Sequence, residues 1–130
     1  MTYNETLKDI EATFGFVPSF FKSAPEDAMV YYWPLTKKYG LEETEIPGKF
    51  RELIGLGIAG ATHCAYCVYF HTINARLAGA TDEEIAEVGI IAGNTSNWST
   101  MLHTAGQDVD EFKKEMDRIV ENVKAKMASQ

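Results

Sequence analysis

The sequence predicts an all-α protein. Apolar residues recur at spacings of three and four, as in Leu7, Ile10 and Phe14, and this spacing places them on one face of a helix. No segment of any length alternates between apolar and polar residues with the period of two that is typical of strands. Prolines, glycines and capping residues divide the chain at intervals of helical length. Together these features predict a single domain over residues 1–130, built from about six to seven helices.

The first forty residues carry the signals for two helices joined by a shorter one. The first helix should end at Gly15, because glycine readily adopts the left-handed conformation that closes a helix. Residues 16–21 predict a turn and a short apolar helix, with Pro18 in its first turn. The next helix is expected over about residues 26–39, where Pro34 should kink or break it.

The rest of the chain predicts four or five further helices, each opened by a proline, a capping residue or a polar turn. We expect the helix that starts at residue 81 to break or bend near residues 93–97, where Gly, Asn, Thr and Ser cluster. The expected helices begin at Pro47, at Cys64 (ending near Leu77 and Gly79), at the capping box Thr81-Asp82-Glu83-Glu84, at about residue 97 (ending near 105) and after Asp108.

Composition and charge exclude several classes of protein. The 45% hydrophobic content argues against disorder, and the net charge of −7 without a basic cluster disfavours nucleic-acid binding. The amino-terminal residues MTYNETLKDIEATFG lack the basic and apolar regions of a signal peptide. No apolar run approaches the length of a membrane span, so we expect no membrane partner and a cytoplasmic location.

Two cysteines, Cys64 and Cys67, are the most informative feature of the sequence. They lie three residues apart at the predicted start of a helix, where free N–H groups and the helix dipole stabilise a thiolate. The dipole favours Cys64 as the thiolate, since it is nearer the helix start and is expected to be more exposed. His71 follows Cys67 by four residues, which places the imidazole on the same face as Cys67, where it could accept the thiol proton.

Glu52 is the fourth candidate residue. It lies twelve residues before Cys64, on the preceding helix and among mostly apolar neighbours. A buried carboxylate requires a polar partner. If these two helices pack antiparallel, Glu52 could orient His71 or relay its proton.

The spacing Glu52-x11-Cys64-x2-Cys67-x3-His71 resembles the signature of the alkylhydroperoxidase AhpD-like family, in the carboxymuconolactone decarboxylase superfamily. The resemblance implies an AhpD-like helical bundle, assembled as a trimer or hexamer, that reduces peroxides or disulfides without a cofactor. It implies that Cys67 attacks, that Cys64 resolves the disulfide, and that Glu52 and His71 relay the proton. An unidentified dithiol or protein would supply the electrons. Tyr66 departs from the family pattern, which often has a histidine before the second cysteine.

Other functions are compatible with the same residues. A cofactor-free decarboxylase or lactone-processing enzyme would not need the cysteine pair. A metal-binding oligomeric protein could use Cys64, Cys67 and His71 with either His63 or His103. Zinc sites usually draw ligands from two separated segments, and no second Cys/His pair is present. We therefore expect dithiol redox chemistry and no bound metal.

An excess of apolar side chains predicts a homo-oligomer. Seven large apolar residues lie within eighteen positions of a small chain, and a patch of that size is seldom left in water by a soluble monomer. These residues are Phe16, Val17, Phe20, Phe21, Tyr31, Tyr32 and Trp33.

Overall fold

The computed structural model describes residues 1–129, and within them the chain forms six α-helices, one 3₁₀ helix and no strand. The all-α prediction is confirmed, and the number of helices agrees with the expected six to seven. The elements are α1 (Tyr3–Phe14), the 3₁₀ helix (Ser19–Ser23), α2 (Glu26–Gly40), α3 (Gly48–Ala61), α4 (Ala65–Leu77), α5 (Asp82–Thr104) and α6 (Val109–Ala128).

The first two helices pack against each other around a small apolar core. Trp33 is fully buried there, in contact with Ile10, Phe21 and Met29. Its indole Nε1 donates a 2.6 Å hydrogen bond to Oδ2 of Asp9 on α1. The core and this partly buried bond together hold α1 against α2.

A second group of packed helices contains the candidate site. α3 packs against both α4 and α5, and α4 also contacts α5. α3 approaches α5 at Gly57, where an added Cβ would lie 3.5 Å from Val88. Among residues 1–129, no other pair of helices except α1 and α2 has an extensive interface, so α6 packs extensively against none of them.

Two predicted interruptions are absent. α5 continues through residues 93–97, and the expected break and the separate helix at 97–105 are therefore wrong. The polar side chains there do not compete for the backbone hydrogen bonds of the helix, because the Thr95 hydroxyl donates to the carbonyl of Ile91, one turn back, at 2.9 Å. α2 likewise continues past Pro34, so the helix is not broken there.

Two helices end at the glycines where the sequence predicted that they would end. Gly15 closes α1 in the left-handed conformation with φ of 81°, and Gly79 closes α4 with φ of 88°. The capping box at Thr81 is present, with the Thr81 hydroxyl accepting from the N–H of Glu84. No helix within the described residues 1–129 is both long and apolar enough to cross a membrane.

Candidate active site

The turn between α3 and α4 brings the cysteines to the site. Cys64 N–H donates to the carbonyl of Ala59 at 3.0 Å, and His63 N–H donates to that of Gly60 at 3.2 Å. This pair of bonds is the Schellman motif, whose left-handed position is usually glycine. Here His63 occupies it with φ of 57°. The chain turns sharply enough for Cys64 to cap the amino end of α4.

The two thiols meet across the first turn of α4. Both cysteines are reduced, and the Sγ atom of Cys64 accepts the N–H of Cys67 at 3.3 Å. Cys64 is half-buried whereas Cys67 is exposed, so the expectation that Cys64 is the more exposed thiol is wrong. The reason is geometric, because a capping side chain folds back over the first turn of its helix.

The hydrogen bonds separate the acidities of the two thiols. The pKa of Cys64 is lowered, mainly because the Cys67 thiol and backbone N–H donate to its sulfur. The pKa of Cys67 is raised, mainly because its thiol is held as the donor to Cys64. In the dithiol form the negative charge therefore rests more readily on Cys64.

Glu52 and His71 form the second half of the site. Oε2 of Glu52 on α3 lies 2.8 Å from Nδ1 of His71 on α4. Glu52 is 3% exposed, as the sequence predicted for a carboxylate among apolar neighbours. The partner that such a group requires is the imidazole, and the contact joins the two helices that carry the motif.

Arg51 also contacts the carboxylate, which the sequence analysis did not anticipate. Its Nε donates to Oε1 of Glu52 at 3.1 Å, while its Nη1 donates to the backbone carbonyl of Glu42 at 2.6 Å. The carboxylate thus accepts one bond on each oxygen. Nothing in the sequence shows that the guanidinium turns back toward its neighbour.

Gly55 makes room for the imidazole. It lies one turn after Glu52, and a Cβ added there would come within 2.6 Å of both Nδ1 and Nε2 of His71. Such a distance is far below van der Waals contact. The ring therefore packs directly on the backbone of α3, in register with Glu52.

The site consists of two pairs that share α4. Cys64 and Cys67 contact each other, and so do Glu52 and His71, but within residues 1–129 no hydrogen bond joins His71 to either sulfur. In the same residues no three His, Cys, Asp or Glu side chains converge in a geometry that could hold a metal ion. His103, a candidate ligand in the metal hypothesis, instead bonds the Ser99 carbonyl within α5 through Nδ1 at 2.7 Å.

Comparison with known proteins agrees with this fold. The model of the carboxymuconolactone decarboxylase family matches residues 28–107, and the chain belongs to that family. A crystal structure of the alkylhydroperoxidase AhpD core from Rhodospirillum rubrum is similar, with a TM-score of 0.71 and 28% sequence identity. The match covers 84% of this chain and 83% of that chain, and the helical arrangement is thus AhpD-like. No curated protein matches the sequence.

Proposed function

We propose that the protein is a thiol–disulfide oxidoreductase that uses Cys64 and Cys67 to reduce peroxides or disulfides. The observation that carries the proposal is the partly buried contact of 2.8 Å between Glu52 on α3 and His71 on α4, the helix that Cys64 caps. A carboxylate that orients an imidazole near a thiol is the arrangement of general-base activation. The AhpD likeness supports the same class of reaction.

The proposed relay uses both nitrogens of His71. A carboxylate only accepts hydrogen bonds, so the contact with Glu52 holds the proton on Nδ1 and leaves Nε2 free to accept one. His71 follows Cys67 by one turn of α4, on the same face. In the proposed mechanism, Nε2 accepts the proton of the Cys67 thiol. Glu52 then stabilises the imidazolium that forms.

With a peroxide, the chemistry balances as a two-electron transfer. The thiolate of Cys67 attacks one peroxide oxygen, so that an S–O bond forms while the O–O bond breaks, and the leaving alkoxide takes the proton held by His71. The resulting sulfenic acid is attacked by Cys64. An S–S bond forms, the S–O bond breaks, and the departing hydroxide takes the second thiol proton to become water. An external dithiol reduces the disulfide again.

Two properties of the cysteines bear on which one attacks. The lowered pKa favours Cys64 as the thiolate, but its sulfur is half-buried and already accepts hydrogen bonds. Cys67 is exposed, and its higher pKa makes its thiolate the stronger nucleophile once His71 has removed the proton. We therefore assign the attack to Cys67 and the resolving step to Cys64, in agreement with the family resemblance.

A thiol count tests the proposed function directly. The reduced protein should show two reactive thiols per chain, and both should disappear on treatment with a stoichiometric organic hydroperoxide and return with excess dithiol. The variant Cys64→Ser should instead stop at a trapped sulfenic acid on Cys67. Retention of both thiols after exposure to peroxide and to a small disulfide would contradict the proposal.

Trapping of sulfenic acid also decides between the cysteines. A dimedone-type probe should label Cys67 in Cys64→Ser much faster than it labels Cys64 in Cys67→Ser. The opposite ratio reverses the assignment while leaving the dithiol function intact. The lactone-processing alternative, suggested by the family's description, would require that both Cys→Ser variants retain full activity on a lactone.

A further inference from the structure

The last helix, α6, presents an apolar stripe that is largely uncovered in the described part of the chain. Within residues 1–129, α6 has no extensive interface with another helix. Its apolar residues recur at three and four, and their exposed fractions lie between 37% and 71%. An amphipathic helix of 20 residues without tertiary contacts is marginal in water, because packing of the apolar face supplies most of its stability. The stripe comprises Val109, Phe112, Met116, Ile119, Val120, Val123 and Met127.

A groove of about 630 Å³ along α3 and α5 is likewise unfilled. Its walls are apolar, and Ile54, Ile58 and Ile91 are each more than half exposed. The groove lies on the first two-thirds of α5, whereas α6 is attached at the other end of that helix. The thirteen lining residues include Phe50, Leu53, Val88, Ala92 and the carboxylates Glu84 and Glu87.

We propose that α6 docks with its stripe in the α3–α5 groove of a second copy of this chain. The charges agree with this pairing. Glu87 lines the groove and forms no ion pair within residues 1–129. Lys113 and Lys124 lie three helical turns apart along one edge of the stripe, and Lys124 likewise has no ion-pair partner in the described residues. Lys124 beside the apolar stripe thus offers a counter-charge to Glu87 beside the apolar groove.

The two surfaces together also contain enough residues for a stable interface between copies. In a closed assembly each copy gives its own α6 and receives another. Each copy therefore contributes both the stripe and the groove, together about twenty residues, which is the lower end of the range for a stable protein interface. A reciprocal pair and a ring both satisfy this condition. The inference concerns assembly, and it stands independently of the dithiol chemistry.

Cross-linking between single-cysteine chains tests the proposal. In a Cys64→Ser/Cys67→Ser background, one chain carries Ile91→Cys at the middle of the groove and the other carries Met116→Cys at the middle of the stripe. The two are co-expressed and treated with a short bismaleimide. A covalent product of twice the 14.5 kDa chain mass should dominate, and each chain expressed alone should give little of it.

The matched control places the second cysteine on the opposite face of α6. Glu121→Cys lies about half a turn from the stripe, and with Ile91→Cys it should cross-link at least tenfold less. Equal yields from Met116→Cys and Glu121→Cys overturn the proposal. So does a chain carrying both Ile91→Cys and Met116→Cys that cross-links internally without a change in mass, because α6 would then occupy its own groove.

A disruptive variant gives a second, independent readout. Met116→Asp with Ile119→Asp should lower the mass measured by light scattering toward a smaller species while circular dichroism still reports α3, α4 and α5. The control Glu121→Gln should leave the mass unchanged. An unchanged mass for the Asp variant, with its helices intact, also overturns the proposal.

Discussion

At the scale of single residues, the site depends on how one buried carboxylate is satisfied. Glu52 accepts from Arg51 on one oxygen and contacts His71 with the other. Breaking a buried ionic contact by removing one partner is costly, because the remaining group is left without compensation. Arg51 therefore serves as a positioning residue in the proposed mechanism, and Glu52 with His71 forms the relay itself.

Loss of either relay residue should slow the oxidation of the thiols without unfolding the protein. Glu52→Gln and His71→Ala should each reduce the rate of thiol oxidation by about 10²- to 10⁴-fold, the usual loss when general-base help is removed. Stopped-flow measurement across about pH 6–9 covers the ordinary range of an imidazole. The control Glu83→Gln, at an exposed position on α5, should react at the parent rate. Parent rates for both relay variants would exclude the relay.

Gly55 offers a test of geometry that leaves every functional group in place. Gly55→Ala should displace the His71 ring, since its Cβ would lie 2.6 Å from both ring nitrogens. The rate of thiol oxidation should fall although alanine favours helix by up to about 1 kcal/mol. Gly60→Ala is the matched control on the same helix, because its Cβ would meet nothing within 4 Å. Equal rates in the two variants would show that the ring position is unimportant.

At the scale of elements, α1 and α2 are joined by Asp9. The pKa of Asp9 is lowered, mainly by the hydrogen bond from Lys37 and then by that from Trp33. A carboxyl whose pKa is lower in the folded protein stabilises the fold at pH values above its unfolded-state pKa of about 3.9. That stability is lost as the pH falls through the pKa of the folded state. Acid should therefore loosen this pair of helices.

Removal of the Asp9 carboxylate should destabilise the protein near neutral pH. Asp9→Ala leaves the indole N–H of the buried Trp33 without its acceptor, at a cost of about 1–3 kcal/mol. Urea unfolding followed by tryptophan fluorescence measures the change, which should diminish in acid as the parent loses the same contact. Asp110→Ala removes an exposed pair at 3.4 Å and should change the stability by less than about 0.5 kcal/mol. Similar losses in both variants would refute the assignment.

At the scale of the whole molecule, apolar surface indicates self-association. Of the seven clustered apolar residues that predict an oligomer, Phe21 and Trp33 are buried, but Phe16, Phe20, Tyr31 and Tyr32 are each more than 60% exposed. Together with the stripe of α6, this surface is far larger than a soluble monomer commonly leaves in water.

The protein should therefore be a homo-oligomer, with a trimer or hexamer expected from the family resemblance. Light scattering after size exclusion, at low micromolar protein, should give a mass several times 14.5 kDa. Tyr31→Ser with Tyr32→Ser, two exposed aromatic positions on α2, should reduce that mass. A parent protein that elutes as a monomer and still forms the Cys64–Cys67 disulfide would contradict the prediction.

Local signals in the sequence determined most of the helix boundaries and the residues of the candidate site. Caps, glycines and periodic apolar residues act within one or two turns of chain, so the starts of α3, α4 and α6 and the spacing of Glu52, Cys64, Cys67 and His71 were readable without coordinates. The break predicted in α5 is wrong. Whether a hydroxyl disrupts the backbone hydrogen bonds of a helix depends on which carbonyl it bonds, and the sequence does not show this.

Only the tertiary structure decided how distant groups meet. The contact between Glu52 and His71 and the seating of the imidazole on Gly55 both depend on how α3 and α4 cross. The sequence also could not show that α6 lacks an extensive partner within the described residues, because an apolar stripe has the same pattern whether it faces its own core or another copy. Packing between helices is set by the shapes of both surfaces at once, and that information is not local to any segment.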